Sequence, residues 1–163
     1  MFKTTCVLTY TDHGATNVKD LKTAVRAALY QLGGHWHGDY LPLHFSEAAY
    51  GLYGAAQRTK RYVKRKRRQK GHNRPMVWSG VMARQVLGSA RMRVVGQRVG
   101  VVMRGVRALN LSSRPRYPDF KAEITAVTGD ELRRFAEYLD RKVDLHLFRL
   151  TQGRRRSTAR SAE

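Results

Sequence analysis

From Arg58 to Arg116 the chain carries Lys and Arg at short intervals and not one Asp or Glu. The densest part is Arg58, Lys60, Arg61, Lys64, Arg65, Lys66, Arg67, Arg68 and Lys70, with Arg74 close behind. Any fold must turn most of these cations to solvent, because burying an unpaired charge is costly. A helix made of them would repel itself along each face, so the sequence predicts an exposed loop or arm at about 60–74. The whole chain has 163 residues and a net charge of +20. Such a field attracts polyanions, and the free energy of a phosphate contact comes largely from released counterions. The arm reads as a contact for nucleic acid or for an acidic face of a neighbour, in preference to a merely solvated charge run. Tyr50, Tyr53 and Tyr62 interleave with the cations, as on single-strand stacking surfaces. Their spacing is equally that of a helix packed on the domain.

Length and composition set the frame for that arm. A chain of this size is about one domain and buries about two thirds of its unfolded surface without staples. The single cysteine, Cys6, rules out an internal disulfide and a thiolate zinc site. No run approaches the ~20 apolar residues of a membrane span. Met1–Tyr10 lacks the charged and apolar regions of a signal peptide. A soluble protein made in the cytoplasm is the expectation.

Periodicity supplies the elements. Residues 2–10 are β-branched and aromatic and predict a strand, followed by a turn at Asp12-His13-Gly14. Thr16 or Asn17 can cap a helix in which Val18, Leu21, Val25, Ala28, Leu29 and Leu32 recur at helical spacing. Gly33-Gly34 is expected to end it. Ser46 can cap a shorter helix through Glu47 to Ala56. Helical turns are expected at Val81–Leu87, and a β-hairpin over 91–104 turning at Gly96-Gln97. A loop spans 104–118. Residues 119–127 alternate, with Phe120, Ala122, Ile124 and Ala126 on one face, and predict a strand. Thr128 and Glu131 form a capping box ahead of a helix with Leu132, Phe135, Leu139, Val143 and Leu147 inward. The sum is one α+β domain over 1–150: a mostly antiparallel sheet with a hairpin, packed against an N-terminal and a C-terminal helix. Residues 151–163 form a basic tail, expected to be disordered unless bound.

Catalytic signatures are poor. Gly33-Gly34 lacks the Lys-Ser/Thr of a phosphate-binding loop. His35 and His37 are two imidazoles without a carboxylate or thiolate set, which points to stacked or exposed histidines rather than metal ligands. The acidic residues show no pairing for acid–base work. Ser79-Gly80 is no nucleophile elbow, because Val77 stands where that turn needs glycine. The expectation is no enzyme, no metal and no cofactor.

The middle of the chain, RTKRYVKRKRRQKGHNRPMVWSGVMARQVL over 58–87, resembles the virion-morphogenesis or tail-completion proteins of tailed phages. Their pattern is a helix ending in a Lys/Arg-rich stretch, then Pro-Leu-apolar-x-Thr/Ser-Gly, then a short Leu- and Arg-containing segment. Here Pro75, Val77, Trp78, Ser79 and Gly80 fill the centre and Arg84 and Leu87 the segment after it, while Met76 and Val81 replace usual Leu positions. The hairpin, then Arg114-Pro115-Arg116-Tyr117-Pro118, then the capped C-terminal helix follow in the family's order, so the likeness covers about 46–150. The resemblance implies an α+β subunit of a virion, assembled in the host cytoplasm as a ring at the head–tail junction. That place would be a neck ring, a tail terminator or a tail-completion factor. Its implied partners are copies of itself, other neck, portal-adaptor or tail proteins, and packaged DNA, with no membrane. The arm at 60–74 and the tail would then become ordered only on assembly. The residues by themselves leave a basic RNA- or DNA-binding protein, such as a ribosomal protein, as the alternative.

Overall fold

The structure is a computed structural model that describes residues 18–96, 98–103 and 119–160. The strand expected over 2–10, the turn at Asp12–Gly14, the cap at Thr16 or Asn17 and the loop at 104–118 lie outside the described residues.

Helix α1, Val18–His35, carries Asp20 in its first turn and buries Ala24, Ala28, Leu29 and Gly33. It does not stop at Gly33-Gly34. Gly33 instead lets another element come close: a Cβ there would sit 2.7 Å from Val99 Cγ2 and 3.0 Å from Met92 Sδ. The missing side chain is a packing device, and tertiary contact overrides the weak helix propensity of glycine. The chain then widens into a π-helical turn at Trp36–Tyr40 and tightens into a 3-10 turn at Leu41–Phe45. Ser46 gives its hydroxyl hydrogen to the Leu43 carbonyl, and the helix expected through Ala56 shrinks to α2, Ala49–Leu52.

Helix α3, Lys60–Lys70, stands where a loop was expected. Three local effects outweigh its self-repulsion. Lys, Arg and Gln are good helix formers. Thr59 caps the start, its Oγ1 accepting from the Tyr62 amide at 3.3 Å. Gly71, at φ 72°, closes the end while Arg67, Arg68 and Lys70 sit in the last turn, where the helix dipole favours cations. Repulsion between exposed charges is screened by water and salt.

Helix α4, Val81–Ser89, leads into the hairpin of β1, Ala90–Val95, and β2, Arg98–Met103. The strands pair antiparallel from Ala90 opposite Met103 to Val95 opposite Arg98, with Gly96 at φ 59° in the two-residue turn. Residues 119–127 form no strand. They hold helix α5, Phe120–Thr125, because Asp119 Oδ1 accepts from the amides of Lys121 and Ala122, each at 3.0 Å. That cap settles an ambiguous pattern in which Phe120 and Ile124 are also one helical turn apart.

Helix α6, Gly129–Arg160, has 32 residues and is about 48 Å long. It runs on through 151–160, part of the basic tail for which the sequence predicts disorder unless a partner is bound. The capping box forms at its start: Glu131 Oε2 accepts from the Thr128 amide at 2.9 Å, and Thr128 Oγ1 from the Glu131 amide at 3.2 Å. Leu139, Val143 and Leu147 are buried, Phe135 is half-buried, and Leu132 faces solvent.

Two apolar clusters organise the chain. The first joins Ala24, Ala28 and Leu29 of α1 to Leu139, Val143 and Leu147 of α6, with Val94 and Val99 of the hairpin against them. The second joins Leu41, Phe45, Val86 and Ile124, with Trp36, Met76 and Val77 alongside. The architecture is therefore α+β but helix-dominated: the sheet among the described residues is the two-stranded hairpin, not the larger sheet expected. No helix among the described residues is long and apolar enough to cross a membrane.

Candidate functional site

The basic run and the turn after it form one construction, built on anchors that the sequence does not advertise. Glu123, on α5, takes Arg58. The Arg58 Nη2 lies 3.0 Å from Glu123 Oε2, and both Nη atoms lie 3.2 Å from Oε1, which also accepts from the Ala56 amide at 3.0 Å. Both side chains of the pair are nearly buried. Lys66 is buried as well and donates to the Arg74 carbonyl. Burial lowers its pKa, as does the Arg58 charge, while Glu47 acts in the opposite direction. Glu47 Oε1 in turn accepts from the Asn73 amide at 2.7 Å. Arg58 and Lys66 therefore leave the set of surface contact residues and become fastenings of the surface.

What remains outward is Lys60, Arg61, Lys64, Arg65, Arg67, Arg68 and Lys70, all exposed on α3, with Arg74 exposed just beyond it. Tyr62 packs against Trp78, with ring centroids 5.6 Å apart, and both rings are half-buried. Arg65 lies over both rings, at 5.3 Å from the Trp78 centroid and 5.9 Å from that of Tyr62. Lys70 lies 5.9 Å from the Trp78 centroid. These cation–π contacts fix two of the long side chains against the body. Tyr50 and Tyr53 do not join this surface. Tyr53 donates to Glu131 Oε1 at 2.5 Å and stacks on buried His44 at 3.7 Å. Burial pushes both tyrosine pKa values up, and for Tyr53 the hydrogen bond to Glu131 adds to the effect.

The turn that carries the resemblance supports α3 from behind. Pro75 is fully buried, Met76 adopts φ 56°, and Met76 and Val77 join the second apolar cluster. Trp78 faces Tyr62. Ser79 is exposed. Gly80, at φ 77°, accepts from the Arg84 amide at 2.9 Å at the start of α4, a backbone conformation that side chains rarely adopt. Arg84 is exposed.

The two histidines weighed as ligands lie in different surroundings. His35 Nδ1 lies 2.5 Å from Asp39 Oδ2, and its ring stacks on Tyr138 at 4.5 Å. His37 is half-buried. No cluster of three metal-capable side chains occurs among the described residues. Sequence reasoning missed Glu47 and Glu123. The signal was their scarcity: a lone carboxylate in a cation-rich chain is the natural partner of the first arginine that must be turned inward. Comparison with protein-family models, with curated proteins and with solved structures finds no match.

Proposed function

We propose that the protein is a structural subunit of a tailed-phage virion, acting at the head–tail junction and holding a polyanionic partner with the outer face of α3. The observation that carries this reading is the unbroken succession of a basic helix, the turn on buried Pro75, Ser79-Gly80, α4 and the β1–β2 hairpin. This is the order of parts in the resembled phage proteins, and here the parts are tied to one another through Lys66, Arg74 and the Tyr62–Trp78 contact. Assembly into a ring needs surface for repeated subunit contacts. Exposed Leu145 and Phe148, one turn apart on α6, and exposed Tyr30 on α1 offer apolar area for it. The role is mechanical: copies of the chain close around the junction, and the basic face grips what passes or docks there.

Deletion of the coding sequence in cells that produce the particles tests this. The expected result is filled heads and free tails that do not join, with joining restored when purified protein is added to the extract. Intact infectious particles without the protein would overturn it.

A further inference from the structure

We infer that the outer face of α3 binds the phosphate backbone of duplex DNA without reading its bases. This deepens the reading above by naming what the basic face holds. The composition of the face selects the partner. Lys60, Arg61, Lys64, Arg65, Arg67, Arg68 and Lys70 are exposed, while the apolar residues of the helix, Tyr62 and Val63, are turned half inward. Protein interfaces are depleted of charge at their centre and gather apolar residues there, whereas DNA interfaces are polar and strongly positive. Lys60, Arg61, Lys64, Arg67 and Arg68 form no ion pair among the described residues. Their charge is uncompensated and open to phosphate.

The geometry selects the mode of contact. Residues four apart on a helix rise by about 6 Å, so Lys60, Lys64 and Arg68 make a row of cations along one side. The nearby rings are not free platforms: Arg65 and Lys70 cover Trp78, and Arg65 covers Tyr62. Base stacking, the usual basis of single-strand binding, is therefore not what this face offers. Phosphate contacts position a protein on a duplex but carry no sequence information. The face is also preformed. The Thr59 cap, the Gly71 terminus and the Lys66 anchor hold the helix without a partner, so little ordering cost falls on binding.

The test must separate this face from the general positive charge of the chain. Fluorescence anisotropy with a labelled duplex of about 25 base pairs, over about 50–200 mM salt, is read for three proteins. These are the native chain, the triple variant Lys60→Gln/Lys64→Gln/Arg68→Gln, and a control of equal charge loss on exposed α1 residues, Lys19→Gln/Lys22→Gln/Arg26→Gln. All three are expected to show the same helical circular dichroism. The α3 variant should lower the slope of log affinity against log salt by about 3, since each lost phosphate contact removes about 0.9. Its affinity should fall at least about ten-fold further than that of the α1 control. Equal losses in the two triple variants would overturn the inference, because binding would then follow net charge alone. Tighter binding of single-stranded DNA of the same length, lost in Trp78→Ala, would also overturn it in favour of a stacking site. No duplex binding by the native chain would overturn this inference alone: unjoined heads and tails in the deletion experiment would still stand for the virion role.

Discussion

Helices α3 and α6 are both rich in Arg and Lys, yet they are held in place by opposite means. Helix α6 interleaves its cations with Glu131, Glu137, Asp140 and Asp144, and buries Leu139, Val143 and Leu147 at four-residue spacing against Ala24, Ala28 and Leu29 of α1. Its stability comes from apolar area removed from water. Helix α3 has no carboxylate at all, and its one buried residue is a lysine. It is secured at its ends, by the Thr59 hydroxyl and left-handed Gly71, and along one side by Lys66 on the Arg74 carbonyl and Tyr62 against Trp78. A helix fastened in this way leaves the side away from Tyr62, Val63 and Lys66 charged and uncovered. A helix fastened by a stripe has given that side to the core. The difference separates the part of the molecule that folds it from the part that presents charge.

The largest expected effect falls on α6. Leu139 is fully buried at the centre of the first cluster. Leu139→Ala should destabilise the chain by about 2–5 kcal/mol, the sum of lost transfer energy and the cavity left behind. Urea denaturation followed by circular dichroism measures this, and the loss should be global, with α1 and α6 melting together. A loss under about 1 kcal/mol would mean that α6 does not depend on its stripe, and the contrast with α3 would fall.

A smaller and local effect is expected at the start of α3. Thr59→Ala removes the hydroxyl that accepts from the Tyr62 amide. The cost should be about 1 kcal/mol, typical of a lost N-cap. Because α3 has little buried stripe to compensate, hydrogen exchange should quicken at amides 61–64 and stay unchanged in α6. Uniform quickening throughout the chain would show that α3 is coupled to the core more tightly than its contacts indicate.

The same distinction explains what was legible in the sequence. Elements that bury a regular stripe announce themselves: Leu21 to Leu32 in α1, the alternation of Met92 and Val94 in the hairpin, and the spacing from Leu139 to Leu147 in α6. The Thr128–Glu131 capping box was legible too, because both partners lie within four residues. Elements settled by a distant contact or by a single cap did not show. Gly33 reads as a helix end until Met92 and Val99 are seen against it. Residues 119–127 read as a strand until Asp119 caps them as a helix. The basic run reads as a loop until its two ends and Lys66 are seen to hold it. At the site, the outward cations and Trp78 were legible as residue types. The inward turn of Arg58 and Lys66 was not, because it depends on Glu123 and Arg74, 65 and 8 residues away respectively.

The smallest expected effect appears only on acidification, and it tests whether the mounting of α3 can be loosened while the α1–α6 core stays intact. His44 is fully buried, next in the chain to Phe45 of the second cluster, its Nδ1 2.7 Å from the Glu123 carbonyl oxygen and its ring stacked on Tyr53. With the Nδ1 hydrogen donated to that carbonyl, buried Nε2 is left without a partner and the ring is neutral. Burial lowers the pKa from its ordinary 6.5, and outweighs the opposing pull of the Glu123 carbonyl and the Glu131 charge. The folded state therefore binds fewer protons than the unfolded state at mildly acidic pH. The stability due to neutral His44 is complete above its unfolded value, and is lost as pH falls from about 6.5 through the lower folded value. His44→Gln keeps a donor for the carbonyl and removes the titration. Between about pH 7.5 and about pH 5, its melting temperature should fall less than that of the native chain. His146 contributes to the residual slope in both proteins, since its burial and the charges of Arg149 and Lys142 lower it too. Hydrogen exchange in the native chain should quicken first around the 3-10 turn Leu41–Phe45 and α5, whose Glu123 holds Arg58, and last in α6. Parallel slopes for the two proteins would show that His44 is not the group that titrates, and that acid acts on the whole molecule rather than on the cluster that carries α3.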